Sequence, residues 1–170
     1  MSCAAGVVRE ARANEMDRVR QLCRDYRALL AERATTPGFV AVYYGDDVFD
    51  ELLVDLPRLH ARPGGAILVF VLDGDIQGTV MTYEIAPQLA EIKRLYVAPS
   101  ARGTGAGQRL LQAAVAQARH DGYARACLDT YDTLTEAIAL YGKAGFSPCA
   151  PFYDPEPSLV PHLRFFDIML

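Results

Sequence analysis

Three glycines at alternate positions, Gly103, Gly105 and Gly107, separate the apolar run LYV (95–97) from a helix-periodic stretch that begins QRLL (108–111). Glycine loses more backbone freedom on ordering than any other residue. Three within five positions therefore point to bare backbone drawn close against a partner. The helix predicted behind them starts with N–H groups that have no intrahelical acceptor, and such an end attracts anions, phosphate above all. A strand, a glycine turn and a helix in this order point to a sheet with helices laid against it.

The rest of the chain fits that arrangement. GVVREA (6–11) predicts a strand, and Asn14 is the expected N-cap of a helix over 15–33, with Asp17 in its first turn. Val19, Leu22, Cys23, Tyr26, Leu29 and Leu30 recur there at helical spacing. Residues 36–64 read as irregular, with one short helix around Val48–Leu56 that Pro57 ends. AILVFVL (66–72) is a continuous apolar run, hence a strand covered on both faces. DGD (73–75) turns it into IQGTVMTYEI (76–85), and AEIKRLYV (90–97) follows as a further strand. Leu110, Leu111, Ala114, Val115 and Ala118 are the expected buried stripe of the helix after the glycines. ARACLDT (124–130) predicts a strand, and Thr133 with Glu136 predicts a capping box for a helix over 134–144 that Gly145 ends. A Pro-rich stretch (147–161) leads to a last strand, HLRFFDIML (162–170). The order β-α-(α)-β-β-β-α-β-α-β describes an α/β (α+β mixed-sheet) fold, one domain over 1–170.

Composition narrows the function. With 17 basic and 21 acidic residues the net charge is −4, against the basic footprint that nucleic-acid binding needs. No apolar run of signal-peptide or membrane-span length occurs, so a cytoplasmic protein without membrane association is expected. Cys3, Cys23, Cys127 and Cys149 are scattered with no C-x-x-C pair, and free, mostly buried thiols are expected. His60, His120 and His162 have no metal-ligand spacing. The glycine loop lacks the Lys-Ser/Thr of a nucleoside-triphosphate loop. It also departs from the dinucleotide fingerprint, since Gln108 stands where the third glycine belongs and APSAR (98–102) intervenes after the strand, although Asp129 does close the next strand.

What remains is R-x-x-G-x-G, met as Arg102, Gly105 and Gly107 behind LYVAPSA, together with ALYGKAGF (139–146) at matching distance. These runs resemble the GNAT acetyltransferases, which move an acetyl group from acetyl-CoA to an amine, and the resemblance is strongest over Ala90–Phe146. It implies a GNAT-like acyl-CoA N-acyltransferase fold and direct transfer in a ternary complex, with acetyl-CoA as co-substrate and no metal. By the same resemblance, backbone groups of Leu95, Tyr96 and Val97 hold the pantetheine arm, and Arg102, Gly103, Thr104, Gly105, Ala106, Gly107 and Gln108 hold the pyrophosphate. Tyr141 takes the position of the tyrosine that protonates the leaving thiolate, while Leu134 stands where many relatives carry Asn. Periodicity alone leaves a second reading open: Leu134, Ile138 and Tyr141 share one helix face, so Tyr141 could be core.

Two carboxylates are candidates for the general base. Glu91, the preferred one, lies six residues before Val97, and Asp129 lies twelve before Tyr141, each a base position in one branch of the family. Unbroken strand alternation puts Glu91 and Lys93 on the face of Leu95 and Val97, with Lys93 lowering the carboxyl pKa. Either acid could instead be a salt-bridged carboxylate at a strand end. For the acceptor, Tyr43, Tyr44, Asp46 and Asp47 in one variable segment and Phe152, Tyr153 and Asp154 in another suit a cationic or aromatic small-molecule amine in a slot between two loops. Lys93 and Arg94 could alternatively hold an acceptor carboxylate. A non-catalytic acyl-CoA-binding module and a protein N-acetyltransferase are the competing functions, and a homodimer stays open.

Overall fold

A computed structural model describes residues 6–45 and 48–170. The strands are β1 (Val7–Glu10), β2 (Ala66–Leu72), β3 (Asp75–Ala86), β4 (Leu89–Val97), β5 (Arg125–Tyr131), β6 (Ser147–Pro148) and β7 (Leu163–Met169). The helices are α1 (Met16–Arg33), α2 (Phe39–Tyr44), α3 (Phe49–Leu59), α4 (Ala106–His120) and α5 (Thr135–Lys143). One seven-stranded sheet runs in the order β1-β2-β3-β4-β5-β7-β6, with β4 and β5 parallel and every other pair antiparallel. This is the mixed α/β sheet that the pattern of the sequence predicts. Among the described residues no helix is long and apolar enough to cross a membrane. Cys23 and Cys127 are buried and Cys149 half-buried, all free, while Cys3 lies outside the described residues.

Two apolar cores lie on opposite faces of the sheet. Leu110, Leu111 and Ala114 of α4 pack with Phe70, Val80, Ile92 and Leu128 on one face. Val19, Leu22 and Cys23 of α1 and Leu53 and Leu56 of α3 pack with Val69, Met81 and Tyr96 on the other. A third cluster joins Phe39 of α2 to Tyr131, Leu134, Leu159 and Phe165, and so ties the segment after α1 to the Pro-rich loop. Val115 is half-buried rather than central to its stripe.

Local chemistry shifts several expected boundaries. Asn14 caps nothing; it sits in a short turn where the Glu15 carboxylate accepts from the Arg12 N–H at 2.8 Å and from the Arg9 guanidinium. Pro57 does not end α3 but lies inside it. A proline there leaves the carbonyl four residues back without a donor, and Arg20 of α1 supplies one, its Nε reaching the Leu53 oxygen at 3.0 Å. The segment 36–64 also contains α2, whose six residues are too few for a periodic signal. The Thr133–Glu136 capping box is absent: Leu134 is drawn into the third cluster, the helix starts at Thr135, and Glu136 reaches Arg33 at 3.4 Å instead. Gly145 ends α5 in the left-handed region (φ 93°), as expected.

The departure that matters most for the site lies in β4. Thr79 pairs with Tyr96 and Met81 with Lys93, so Arg94 and Leu95 together face the single residue Val80. This bulge holds Arg94 at φ 54° and resets the alternation of the strand. Ile92, Leu95 and Val97 all face the α4 side, whereas Tyr96 faces α1. Glu91 and Lys93 consequently lie on the face opposite Leu95 and Val97, which corrects the expectation from unbroken alternation.

Candidate active site

Strands β4 and β5 are paired only at Leu89–Arg125, Ala90–Ala126 and Glu91–Cys127. Beyond them the strands separate, and Leu95, Tyr96 and Val97 keep their β3 neighbours but have no ladder partner on the β5 side. Into this opening the chain turns through Arg102–Gly105 and enters α4. Gly103 (φ 79°) and Gly105 (φ 82°) occupy the left-handed region that favours glycine. A Cβ on either would meet nothing within 4 Å, so the space above the loop is open. No side chain caps α4, and its first turn carries no acidic residue. The amides of that turn thus face a groove of about 490 Å³, lined by Leu95, Val97, Arg102 and Leu140 among others. Unpaired N–H groups at the positive end of a fifteen-residue helix are the kind of end that suits a diphosphate. Thr104 fixes the turn from within, its hydroxyl donating to the Ala101 carbonyl at 2.7 Å.

A second cleft, of about 570 Å³, opens on the other side of the splayed strands and is lined by Glu91, Lys93, Arg94, Asp129, Tyr43 and Tyr153 among others. The two clefts share three residues: Tyr26, Leu95 and Tyr141. Tyr141 is 6% exposed, its ring 6.1 Å from that of Phe146 and 5.9 Å from that of Phe166. Its hydroxyl has no hydrogen-bond partner among the described residues. Burial, reinforced by Tyr26 and the negative charge of Asp129, pushes its pKa up, so the phenol keeps its proton throughout the neutral range. The core reading and the site reading of Tyr141 therefore both describe it: the ring is core, and the residue lines both clefts.

The carboxylates differ in what holds them. Glu91 is 3% exposed, with Oε2 accepting from the Tyr83 hydroxyl at 2.6 Å and Oε1 paired with the Lys93 ammonium at 2.9 Å. Asp129 receives two phenols on the same oxygen: Tyr43 of α2 at 3.0 Å and Tyr153 of the Pro-rich loop at 2.8 Å, both to Oδ2. Its Oδ1 has no protein partner among the described residues. The two variable segments thus face each other and meet on Asp129. Asp46 and Asp47 lie outside the described residues. Enclosure pushes both phenols up in pKa, first by desolvation and then by the nearby Asp129 charge, so both remain donors at neutral pH.

Arg94 enters the same cleft from the bulge. One of its guanidinium nitrogens lies 3.4 Å from His60 Nε2, and the other imidazole nitrogen faces the Thr82 carbonyl at 3.0 Å. Since Nδ1–H must donate to that carbonyl, Nε2 is the acceptor for the guanidinium. Burial lowers the His60 pKa to about 4, so the ring is neutral at pH 7.

Sequence reasoning missed Tyr26 and Tyr83. Tyr26 belongs to a helix stripe and reads as core; only the splay of distant strands exposes its edge to both clefts. Tyr83 was within reach, because the hairpin about Pro87–Gln88 puts it opposite Glu91.

Comparison with known proteins agrees with this architecture. The acetyltransferase (GNAT) family matches residues 19–146. An uncharacterized N-acetyltransferase of Schizosaccharomyces pombe is 35% identical over 139 residues, covering 80% of this chain and 83% of that protein. Among solved structures, a PaiA N-acetyltransferase from Thermoplasma acidophilum in complex with coenzyme A superposes with a TM-score of 0.74 at 17% identity, covering all of both chains. An acetyltransferase from Salmonella typhimurium holding acetyl-CoA superposes with a TM-score of 0.70 at 19% identity, covering 97% of this chain and 94% of that one. With its glycine turn into α4, its parted strands and these relatives, the chain belongs to the acetyltransferase (GNAT) family.

Proposed function

We propose that this acetyltransferase moves the acetyl group of acetyl-CoA onto the primary amine of a small molecule, by direct transfer where the two clefts meet. The meeting of the clefts at Tyr26, Leu95 and Tyr141 is the observation that carries this reading. The groove fits the cofactor on its own terms: uncapped helix amides, open left-handed glycines and a strand edge without a neighbour. Bound there, acetyl-CoA supplies an activated acetyl thioester. The first-turn amides of α4 and Arg102 hold the pyrophosphate, and the free edge of Leu95–Val97 aligns the pantetheine arm. An N–H of that edge polarises the acetyl carbonyl. Asp129 Oδ1 accepts a hydrogen of the incoming amine and takes its proton as the C–N bond forms. Tyr141 donates to the departing thiolate sulfur. Glu91, with both oxygens engaged, anchors Tyr83 and Lys93, and its support as the base is weaker than that of Asp129.

The small-molecule reading rests on the roof over the acceptor cleft, where Tyr43 and Tyr153 close on Asp129 from two sides and leave a slot rather than an open groove. An amine library assayed by release of free CoA thiol tests it. The expected result is turnover with free amines, and a higher kcat/KM on a protein or peptide terminus than on every free amine would refute it.

A further inference from the structure

Six charged side chains line the acceptor cleft, Glu91, Lys93, Arg94, Asp129, Asp154 and Glu156, and of its two cations only one is paired with a carboxylate among the described residues. Lys93 is neutralised by Glu91. Asp129 is held by two neutral phenols and forms no ion pair among the described residues. Arg94 is held by a neutral imidazole and likewise forms no ion pair among the described residues. The structure thus leaves Arg94 as the one cation lining this cleft without a carboxylate partner among the described residues, beside the unpaired carboxylates of Asp129, Asp154 and Glu156. Both fields reach the phenols of Tyr26 and Tyr44, with opposite effect: Asp129 raises and Arg94 lowers their pKa.

Arg94 shows two further marks of a residue kept for a purpose other than folding. Its backbone holds φ 54°, which costs a non-glycine residue about 1 kcal/mol or more and persists mainly where a site needs the geometry. Its Nε is buried without a hydrogen-bond partner among the described residues, a loss that a leucine in its place would avoid. His60 orients the guanidinium while leaving its charge intact, because a ring with a pKa near 4 brings no charge of its own at pH 7.

We infer that the acceptor is a zwitterion, an amino acid whose carboxylate is held by Arg94 and whose amine faces Asp129. This rests on the reading of the second cleft as the acceptor site and specifies its substrate class. Arg94 is next in the chain to Leu95, which lines both clefts, so a carboxylate on its guanidinium stays near the point of transfer. A diamine or polyamine would leave Arg94 without an anion.

The test compares matched pairs, phenylalanine with phenethylamine and leucine with isoamylamine, for the wild type, Arg94→Gln and Arg94→Lys. Wild type is expected to prefer the amino acid of each pair. In Arg94→Gln that preference, read as the ratio of kcat/KM values, should fall about 10- to 150-fold, the worth of a charge-assisted hydrogen-bond pair. The loss should lie in KM, and Arg94→Lys should recover part of it. A wild-type preference for the decarboxylated amine, or equal losses for both members of a pair in Arg94→Gln, would overturn the inference. A measurement on wild type alone guards against a variant that fails to fold: CoA-loaded protein should be stabilised thermally by the amino acid more than by its amine, and the reverse order refutes the assignment. Turnover of amines without discrimination sinks the zwitterion and spares the acetyltransferase reading. Amino-acid binding without turnover of any amine does the opposite.

Discussion

Replacing Tyr141 by phenylalanine removes one oxygen and leaves everything else in place. The ring is packed between Phe146 and Phe166, and phenylalanine refills that volume. The hydroxyl has no protein partner among the described residues, so its removal strands no buried donor or acceptor. Folding stability should then change by less than about 1 kcal/mol, the net worth of an ordinary hydrogen bond. Cofactor affinity should hold, because the groove is otherwise built from α4 amides and the β4 edge. Turnover is another matter. A positioned general acid contributes roughly 10²–10³ to the rate, about 2.7–4 kcal/mol of barrier. Tyr141→Phe should lose that factor in kcat while its melting temperature and its affinity for CoA by calorimetry stay near wild type. The pH profile adds a sign to the argument: since burial raises the phenol pKa, Tyr141 stays protonated across the neutral range and contributes no basic limb below about pH 10. Unchanged single-turnover rates in Tyr141→Phe would show that the phenol is only core, and a basic limb near pH 8 that vanishes in the variant would refute the raised pKa.

Three further outcomes are expected. Gly105→Glu forces a side chain into the left-handed region and sets a carboxylate at the mouth of α4, so micromolar CoA binding, about −8 kcal/mol, should be lost; undiminished calorimetric binding would remove this turn from consideration. Asp129→Asn should abolish the acidic limb of kcat/KM against pH, whereas Glu91→Gln should retain it, and the opposite pattern would make Glu91 the base. His60 is kept neutral in the folded state, with its pKa depressed to about 4 from an unfolded value near 6.5. Its contribution is therefore complete above pH 6.5 and is lost as pH falls toward 4, up to about 3 kcal/mol; denaturant melts of His60→Gln should show a flatter decline over that window.

Much of the cofactor side was legible because its determinants are local. Glycines at fixed offsets, a strand before them and an apolar helix stripe after them are properties of neighbouring residues, and they point to the turn into α4 from Arg102 to Gln108 directly. The acceptor side depends on pairings distant in sequence. Nothing adjacent to Pro57 reveals that Arg20 will supply the donor it lacks, and nothing near Thr133 reveals that Leu134 will be drawn against Phe39 and Leu159. The bulge at Arg94 was hidden for the same reason. It is visible only as a mismatch with Val80 on β3, and a periodic reading of β4 alone must put Glu91 and Leu95 on one face.

The parting of β4 from β5 also has a mechanical consequence. Three residue pairs hold the β1–β4 half of the sheet to the β5–β7–β6 half, and beyond Glu91 and Cys127 the backbone joint is open. A ligand laid along the open edge supplies the missing rungs and braces the halves against each other. The empty protein should therefore flex about that short seam, with amides of 95–97 and 128–131 among the first of the strands to exchange with solvent, and the loaded protein should move as one body. Occupancy of the cofactor groove would then set the width of the acceptor slot, because Asp129, on which its two roof tyrosines converge, rides on the strand that the seam lets move.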